Sequence, residues 1–146
     1  MKTLLLDIDY TLFDGDTPRP YIKEFLEYVH KKYSIRFYTA GSRERVTSAL
    51  RVLAQMNLES EIIWQLDRKR LTRENCNTIE IESGATIKSL PKAAEVLNVP
   101  LEDLILLDDN PKYDNPHKDQ IIQAEGFMAD MTEDDYLMRI IKEEIL

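Results

Sequence analysis

Apolar residues along this chain alternate between short unbroken runs and faces spaced three and four residues apart. Thr3 to Leu6 is a continuous run that stops at Asp7, and Leu104-Ile105-Leu106-Leu107 repeats the pattern before Asp108 and Asp109. Runs without polar alternation predict strands buried on both faces, as in a parallel sheet covered by helices on each side. Ser34 to Thr39 carries Ile35, Phe37 and Tyr38 and ends at Ala40-Gly41, which predicts another strand. Between these runs, Tyr21, Ile22, Phe25, Leu26 and Val29 trace a helical face, with Pro20 placed at the first helical position. Val46, Ala49, Leu50, Leu53 and Ala54 trace a second helix that Ser42 is placed to cap.

Further along, Ile62-Ile63-Trp64 predicts a strand, and Thr78-Ile79-Glu80-Ile81-Glu82 alternates like a half-exposed one before Ser83-Gly84. Pro91 opens a short helix through Leu97, and Ile121-Ile122 predicts an edge strand. Thr132 with Asp135 has capping-box spacing ahead of a C-terminal helix bearing Leu137, Ile140, Ile141 and Ile145. Strands alternating with helices predict an α/β fold with a doubly wound, mostly parallel sheet, and 146 residues are expected to form one domain over 1–146.

Composition narrows the function classes. A single cysteine, Cys76, forms no intramolecular disulfide, and with only His30 and His117 no Cys/His zinc cluster can be assembled. Met1-Lys2-Thr3-Leu4-Leu5-Leu6 runs directly into Asp7 and Asp9, so neither a signal peptide nor a membrane anchor is expected. A soluble, intracellular, reducing setting is therefore predicted: cytoplasmic, or nuclear in a eukaryote. Residues 1–75 hold 13 basic and 11 acidic side chains, whereas 76–146 hold 6 and 16, for a net charge of −8. Such a balance disfavours non-specific nucleic-acid binding, which needs clustered cations. Arg68-Lys69-Arg70 with Arg73 is the local exception, read first as a solvated loop and otherwise as a guide for an acidic, phosphorylated substrate or a nuclear-localisation-like patch.

Both acid clusters follow buried runs. In an open parallel sheet ligands sit outside the carboxyl ends of the strands, so Asp7, Asp9, Asp108 and Asp109 are expected in one cleft. Carboxylates so crowded repel unless a cation joins them. Oxygen donors without His or Cys select a hard ion, and a few carboxylates with positions left for water and phosphate suit Mg²⁺. Phosphoryl chemistry follows from that donor set.

Asp7-Ile8-Asp9-Tyr10-Thr11-Leu12 resembles the Asp-x-Asp-x-Thr signature of the haloacid dehalogenase (HAD) superfamily of phosphohydrolases. Thr39 matches the second family motif, Lys88 in Ile87-Lys88-Ser89-Leu90 the third, and Asp108-Asp109-Asn110-Pro111 the closing acidic one. Within the superfamily, Arg19-Pro20-Tyr21-Ile22-Lys23-Glu24-Phe25-Leu26 and Phe37-Tyr38-Thr39-Ala40-Gly41-Ser42-Arg43 are similar to the FCP/SCP-type phosphatases of the RNA polymerase II C-terminal domain. Asp-x-Asp-Tyr-Thr is also similar to the small magnesium-dependent phosphatases. A response-regulator receiver domain is excluded by chain order, because its phosphorylated Asp stands alone in mid-chain.

The resemblance implies Mg²⁺-dependent hydrolysis of phosphate monoesters through an aspartyl-phosphate. Asp7 would be nucleophile and metal ligand. Asp9 would be acid and then base, its backbone carbonyl facing the metal and its carboxyl group raised in pKa among crowded carboxylates. Thr39, Ala40 and Lys88 would hold the phosphoryl oxygens, Asp109 would ligate the metal directly, and Asp108 would do so directly or from outside the first ring of ligands. Only Phe13 to Pro18 intervene between the first motif and Arg19-Pro20, which implies a minimal or missing cap and an open cleft. An open cleft favours a phosphoserine or phosphothreonine on a protein, with a small-molecule or nucleic-acid-end phosphate as the alternative. A phospho-binding module without turnover is less favoured, since the catalytic set is intact. A monomer is expected. Cys76 is read as a small, partly buried side chain rather than a nucleophile, and Trp64, Tyr21, Phe25 and Tyr28 as core or packing residues.

Overall fold

The computed structural model describes residues 1–80, 86–110 and 116–146, with residues 77–80 and 86 described through their backbone alone. Strands β1 (Thr3–Leu6), β2 (Phe13–Asp14) and β3 (Thr17–Pro18) precede helix α1 (Ile22–Val29) and strand β4 (Ser34–Phe37). Helices α2 (Arg43–Leu53) and α3 (Ser60–Asp67) follow, then β5 (Asn77–Glu80), β6 (Thr86–Lys88), α4 (Leu90–Leu97), β7 (Leu104–Asp108), β8 (Ile121–Gln123) and α5 (Tyr136–Lys142). The main sheet is four-stranded, in the order β4-β1-β7-β8, and every pairing in it is parallel.

The unbroken apolar runs have a direct explanation. Leu4 and Leu6 of β1 face one core with Ile35, Phe37 and Leu107 against α1, α2, α3 and α5, while Leu5 faces a second core with Leu104 and Leu106 against α4. Since successive strand residues point to opposite faces and both faces are covered, neither parity tolerates a polar side chain. Tyr38 and Cys76 belong to the second core, and Cys76 is 5% exposed.

β4 and β8 are the edges. Helix α3 packs along β4, and Gln65 Oε1 accepts from the Ile35 backbone N–H at 2.9 Å, so a donor that an edge strand would leave to solvent is satisfied by a side chain. This corrects the expected strand at Ile62-Ile63-Trp64. Only Ile62 and Leu66, four residues apart, are buried on α3, and Trp64 is 53% exposed under the Arg68 guanidinium, 4.5 Å from its ring centroid, rather than packed in the core. Three β-branched or aromatic residues in a row are too short a stretch to reveal the four-residue period.

Helix boundaries differ from expectation at α1 and α5, while α2 starts where expected but without the expected capping bond. α1 begins at Ile22 after Tyr21, whose φ of 69° is left-handed, so Pro20 lies before the helix and Tyr21 is exposed. Ser42 occupies the cap position of α2 without a side-chain capping bond. α5 begins at Tyr136, not at Thr132; Asp134 Oδ1 accepts both the Tyr136 N–H at 3.2 Å and Arg19 Nε at 3.0 Å, which displaces the expected capping box. Ser89 does cap α4, accepting from Lys92 N, with Pro91 in the first turn.

β5 pairs antiparallel with β6, so the alternating segment is a strand through Glu80, while Ile81, Glu82 and the Ser83-Gly84 stop lie outside the described residues, as does Pro111. β2 and β3 form a small antiparallel hairpin turned at Gly15, whose φ of +59° strains any side-chain-bearing residue. Between the loop over residues 7–12 and the approach to α1 the chain forms only this hairpin. Among the described residues no helix is long and apolar enough to cross a membrane.

Candidate active site

β1, β4 and β7 lie side by side and end together, so their carboxyl ends deliver Asp7, Thr39, Asp108 and Asp109 to one crevice. Asp7 N–H donates to Leu107 O at 3.0 Å and Tyr38 N–H to Leu6 O at 2.9 Å, which carries the parallel ladder one residue beyond each strand and fixes these side chains relative to one another. Lys88 reaches the same point from β6. Its Nζ donates to Asp7 Oδ1 at 2.6 Å and to Asp108 Oδ2 at 2.9 Å, with all three side chains about nine-tenths buried.

Thr11 closes the other side. Its Oγ1 lies 2.7 Å from Asp7 Oδ2 and 3.1 Å from Asp109 Oδ1, and it accepts from the Asp109 N–H at 2.9 Å. One hydroxyl proton serves the nearer carboxylate, so Thr11 links Asp7 to Asp109 while remaining fully buried. Asp108 Oδ1 accepts from Asn110 N–H at 2.9 Å.

Burial is the largest influence on Asp7. It raises the carboxyl group; Lys88 works against it, Asp108 reinforces it, and the result is pushed up to about 8. Burial alone would lower Lys88, but Asp7 and Asp108 outweigh it and hold the ammonium above its ordinary value. Without a metal the site thus resolves its repulsion by keeping Lys88 charged and a proton on Asp7. Asp7, Asp108 and Asp109 each offer an oxygen within 4.8 Å of the others, an all-oxygen set whose unrelieved charge fits a hard divalent cation.

Thr39 is 1% exposed and its Oγ1 accepts from Gly41 N–H at 3.0 Å. Its own N–H donates to Leu71 O at 3.0 Å, and Arg73 N–H donates to Gly41 O at 3.1 Å, so the segment after α3 braces the Thr39-Ala40-Gly41 turn. A side chain at position 41 would meet Thr39 Oγ1 at 3.3 Å, and the missing Cβ lets the turn close over that hydroxyl. Ala40 is exposed beside it.

Asp9 stands apart from the other carboxylates. Its Oδ1 accepts from Arg45 Nε at 2.8 Å, and its side chain is 46% exposed. The crowding expected around it is taken instead by Asp7, Asp108 and Asp109. Of the basic segment, Arg70 is tied to Asp67, Thr47 and the Arg43 carbonyl, and Arg68 lies over Trp64. Arg43, Lys69 and Arg70 line a cavity of about 290 Å³ together with Asp67 and Glu74, so its charges are mixed.

Three residues at or behind the site carried no role in the sequence reading. Thr11 had a signal, being the last residue of Asp-x-Asp-x-Thr. Arg45 had none, because Arg43-Glu44-Arg45 reads as a solvated first helical turn. Arg19 is 1% exposed: it pairs with Asp134 at 3.0 Å, donates to the Thr11 and Glu125 carbonyls at 3.0 and 2.7 Å, and lies over the Tyr136 and Phe127 rings. It staples the signature loop to the chain before α5.

The sequence model of the family described as NLI interacting factor-like phosphatase matches residues 2–144. The chain belongs to that family. It is 35% identical over 75 residues to ubiquitin-like domain-containing CTD phosphatase 1 of Drosophila melanogaster, covering 45% of this chain and 23% of that protein. It is 24% identical over 155 aligned positions to nuclear envelope morphology protein 1 of Schizosaccharomyces pombe, covering 93% and 31%. The chain therefore spans a third or less of the length of these relatives. Among solved structures, Fcp1, an essential RNA polymerase II CTD phosphatase, superposes with a TM-score of 0.61 at 11% identity over 99% of this chain and 48% of that one. Fission yeast Fcp1 bound to beryllium fluoride gives 0.58 at 13% identity, covering 99% and 50%. The fold is the HAD-type doubly wound sheet of an FCP/SCP-type phosphatase.

Proposed function

We propose that the chain hydrolyses phosphate monoesters through an aspartyl-phosphate on Asp7, with phosphoserine or phosphothreonine on a protein as substrate. The observation that carries this reading is Asp7 itself: a nearly buried carboxylate at a strand end, held by Lys88 and Thr11 between Asp108 and Asp109. Asp7, Asp109 and the Asp9 backbone carbonyl would hold Mg²⁺, with Asp108 steadied behind them because its Oδ2 is already committed to Lys88. When bound, the ion offsets carboxylate charge and polarises the phosphoryl group.

The chain's own groups account for the remaining chemistry. In the first half-reaction an Asp7 oxygen bonds to phosphorus, the ester P–O bond breaks, and the leaving oxygen takes a proton from the Asp9 carboxyl group. In the second, the Asp9 carboxylate removes a proton from water, whose oxygen bonds to phosphorus as the acyl-phosphate P–O bond breaks. Inorganic phosphate leaves and the Asp7 carboxylate is restored. Thr39, the Ala40 backbone and Lys88 hold the equatorial oxygens, and Lys88 also offsets the charge that Asp7 would otherwise keep.

Substrate class follows from access. Among the described residues the hairpin β2–β3 is the one element between β1 and α1, which supports a site open to a substrate that brings its own cover, as a folded or extended polypeptide does and a metabolite does not. The names of the relatives, both CTD phosphatases among them, support the same class. Phosphate release from a panel of phosphoserine and phosphothreonine peptides beside sugar and nucleotide phosphates tests it. Faster turnover of the peptides is expected; equal or faster turnover of the metabolites overturns the protein substrate.

A further inference from the structure

We infer that Arg45 is a positioning residue for Asp9, fixing the carboxyl group that gives and takes the catalytic proton; this rests on the phosphatase reading above. All three guanidinium nitrogens have set acceptors. Nε donates to Asp9 Oδ1 at 2.8 Å, Nη2 to the Gly15 carbonyl at 2.8 Å, and Nη1 to Ser48 Oγ at 3.1 Å, while the group lies 5.8 Å from the Phe13 ring centroid. The Arg45 side chain is 17% exposed, less than half as much as the carboxylate it holds.

Its place in the fold gives the bond a purpose. A Cβ built on Gly41 would lie 3.4 Å from Arg45 Cβ and 3.3 Å from Thr39 Oγ1, so the arginine stem rises beside the phosphoryl-binding turn. From there the guanidinium spans three separate pieces of chain: the loop after β1, the hairpin tip at Gly15, and α2. A mobile surface cation would add little, but a planar fork with all three nitrogens engaged is preorganised and holds its partner at one angle. Among the described residues Asp9 Oδ2 has no hydrogen-bond partner. Arg45 thus occupies one oxygen and leaves the other to carry the proton to the leaving group and to take one from water.

Leaving-group dependence separates positioning from ordinary binding. An aryl phosphate such as p-nitrophenyl phosphate expels an oxygen that needs little protonation, whereas a phosphoserine peptide expels an alkoxide that needs it fully. Arg45→Met is expected to lower kcat/KM, which ends at phosphoryl transfer to Asp7 and leaves out the second half-reaction common to both esters, about 100-fold on the peptide, within the usual range for losing a general acid, and by less than about tenfold on the aryl ester. Arg45→Lys keeps a charge but loses the fork, and is expected to show the same ordering with a smaller loss. In an Asp9→Asn background Arg45→Met is expected to cost nothing further. Mg²⁺ should still bind in a calorimetric titration, since Arg45 touches none of the carboxylates of Asp7, Asp108 and Asp109, and rates are compared well below the melting temperature, which the loss of three bonds lowers. Equal losses on the two esters, a rise in KM alone, or a loss additive with Asp9→Asn overturns the inference while leaving the phosphatase reading standing. A wild-type protein that hydrolyses neither ester overturns both.

Discussion

Replacing Lys88 with methionine keeps most of the stem and removes the cation that, among the described residues, stands between Asp7 and Asp108. The ammonium sits 2.6 Å and 2.9 Å from the first two carboxylates, and the three carboxylates present oxygens within 4.8 Å of one another. Unit charges about 4 Å apart interact by about 4 kcal/mol at an effective dielectric of about 20, so the variant loses one attraction of that order to Asp108, and a second to Asp7 once Asp7 is ionised. Taking up protons limits the damage, and removing one partner of a buried ion pair typically costs about 3–5 kcal/mol, which is the loss expected for metal-free protein at neutral pH. The sign with pH is set by the carboxylates. Without Lys88 the folded-state value of Asp7 rises further above its unfolded one, so the deficit is small in acid and grows as pH increases through the carboxylate range. Saturating Mg²⁺ supplies the missing charge and should recover about 3 kcal/mol, what a ligand at about 100 times its dissociation constant provides. Urea unfolding followed by circular dichroism, with and without Mg²⁺ at two pH values, measures all of this. A metal-free Lys88→Met protein as stable as wild type, or a deficit that shrinks as pH rises, refutes the electrostatic account of the site.

Three further outcomes are expected. Arg19→Met should cost about 3–5 kcal/mol in urea unfolding, because it leaves the Asp134 carboxylate buried at 2% exposure without its cation; the same loss in an Asp134→Asn background would contradict that cause. Thr11→Val should cost about 1–3 kcal/mol by stranding Asp7 Oδ2 and the Asp109 N–H, and should lower phosphate release more than it lowers melting temperature. Asp7, pushed up to about 8, keeps in the metal-free folded state a proton that the unfolded chain releases near its ordinary 3.8. Its contribution to stability is therefore full below that value and lost as pH climbs toward about 8. Mg²⁺ must displace the same proton, so its affinity should rise about tenfold per pH unit up to about 8, with nearly one proton released per ion at neutral pH; calorimetry in buffers of different ionisation enthalpy reads that number.

How much of this was legible in the chain depended on whether the signal was local. Leu4-Leu5-Leu6 and Leu104-Ile105-Leu106-Leu107 announced their strands because burial on both faces leaves no polar position, and the acids just after them announced the crevice. Ile62-Ile63-Trp64 misled because α3 buries only Ile62 and Leu66 while covering the β4 edge, a job that shows in Gln65's bond to Ile35 and not in any run of residues. Thr132 and Asp135 had the spacing of a cap, but Arg19, more than a hundred residues earlier, claims Asp134 and moves the helix start. The same limit applies at the site. Asp7, Thr39, Lys88, Asp108 and Asp109 stand in recognisable motifs, whereas Arg45 reaches Asp9 across 36 residues and looks from the sequence like one more charge on a helix.

The central claim is covalent attachment of phosphate to Asp7. A radiolabelled aryl phosphate, whose leaving group needs little protonation, mixed with Mg²⁺-loaded Asp9→Asn protein, quenched in acid and mapped by mass spectrometry, should show one phosphoryl group on the peptide containing Asp7, discharged by hydroxylamine and missing from Asp7→Asn. Phosphate release by wild type with no label on Asp7, or undiminished turnover by Asp7→Asn, contradicts the account.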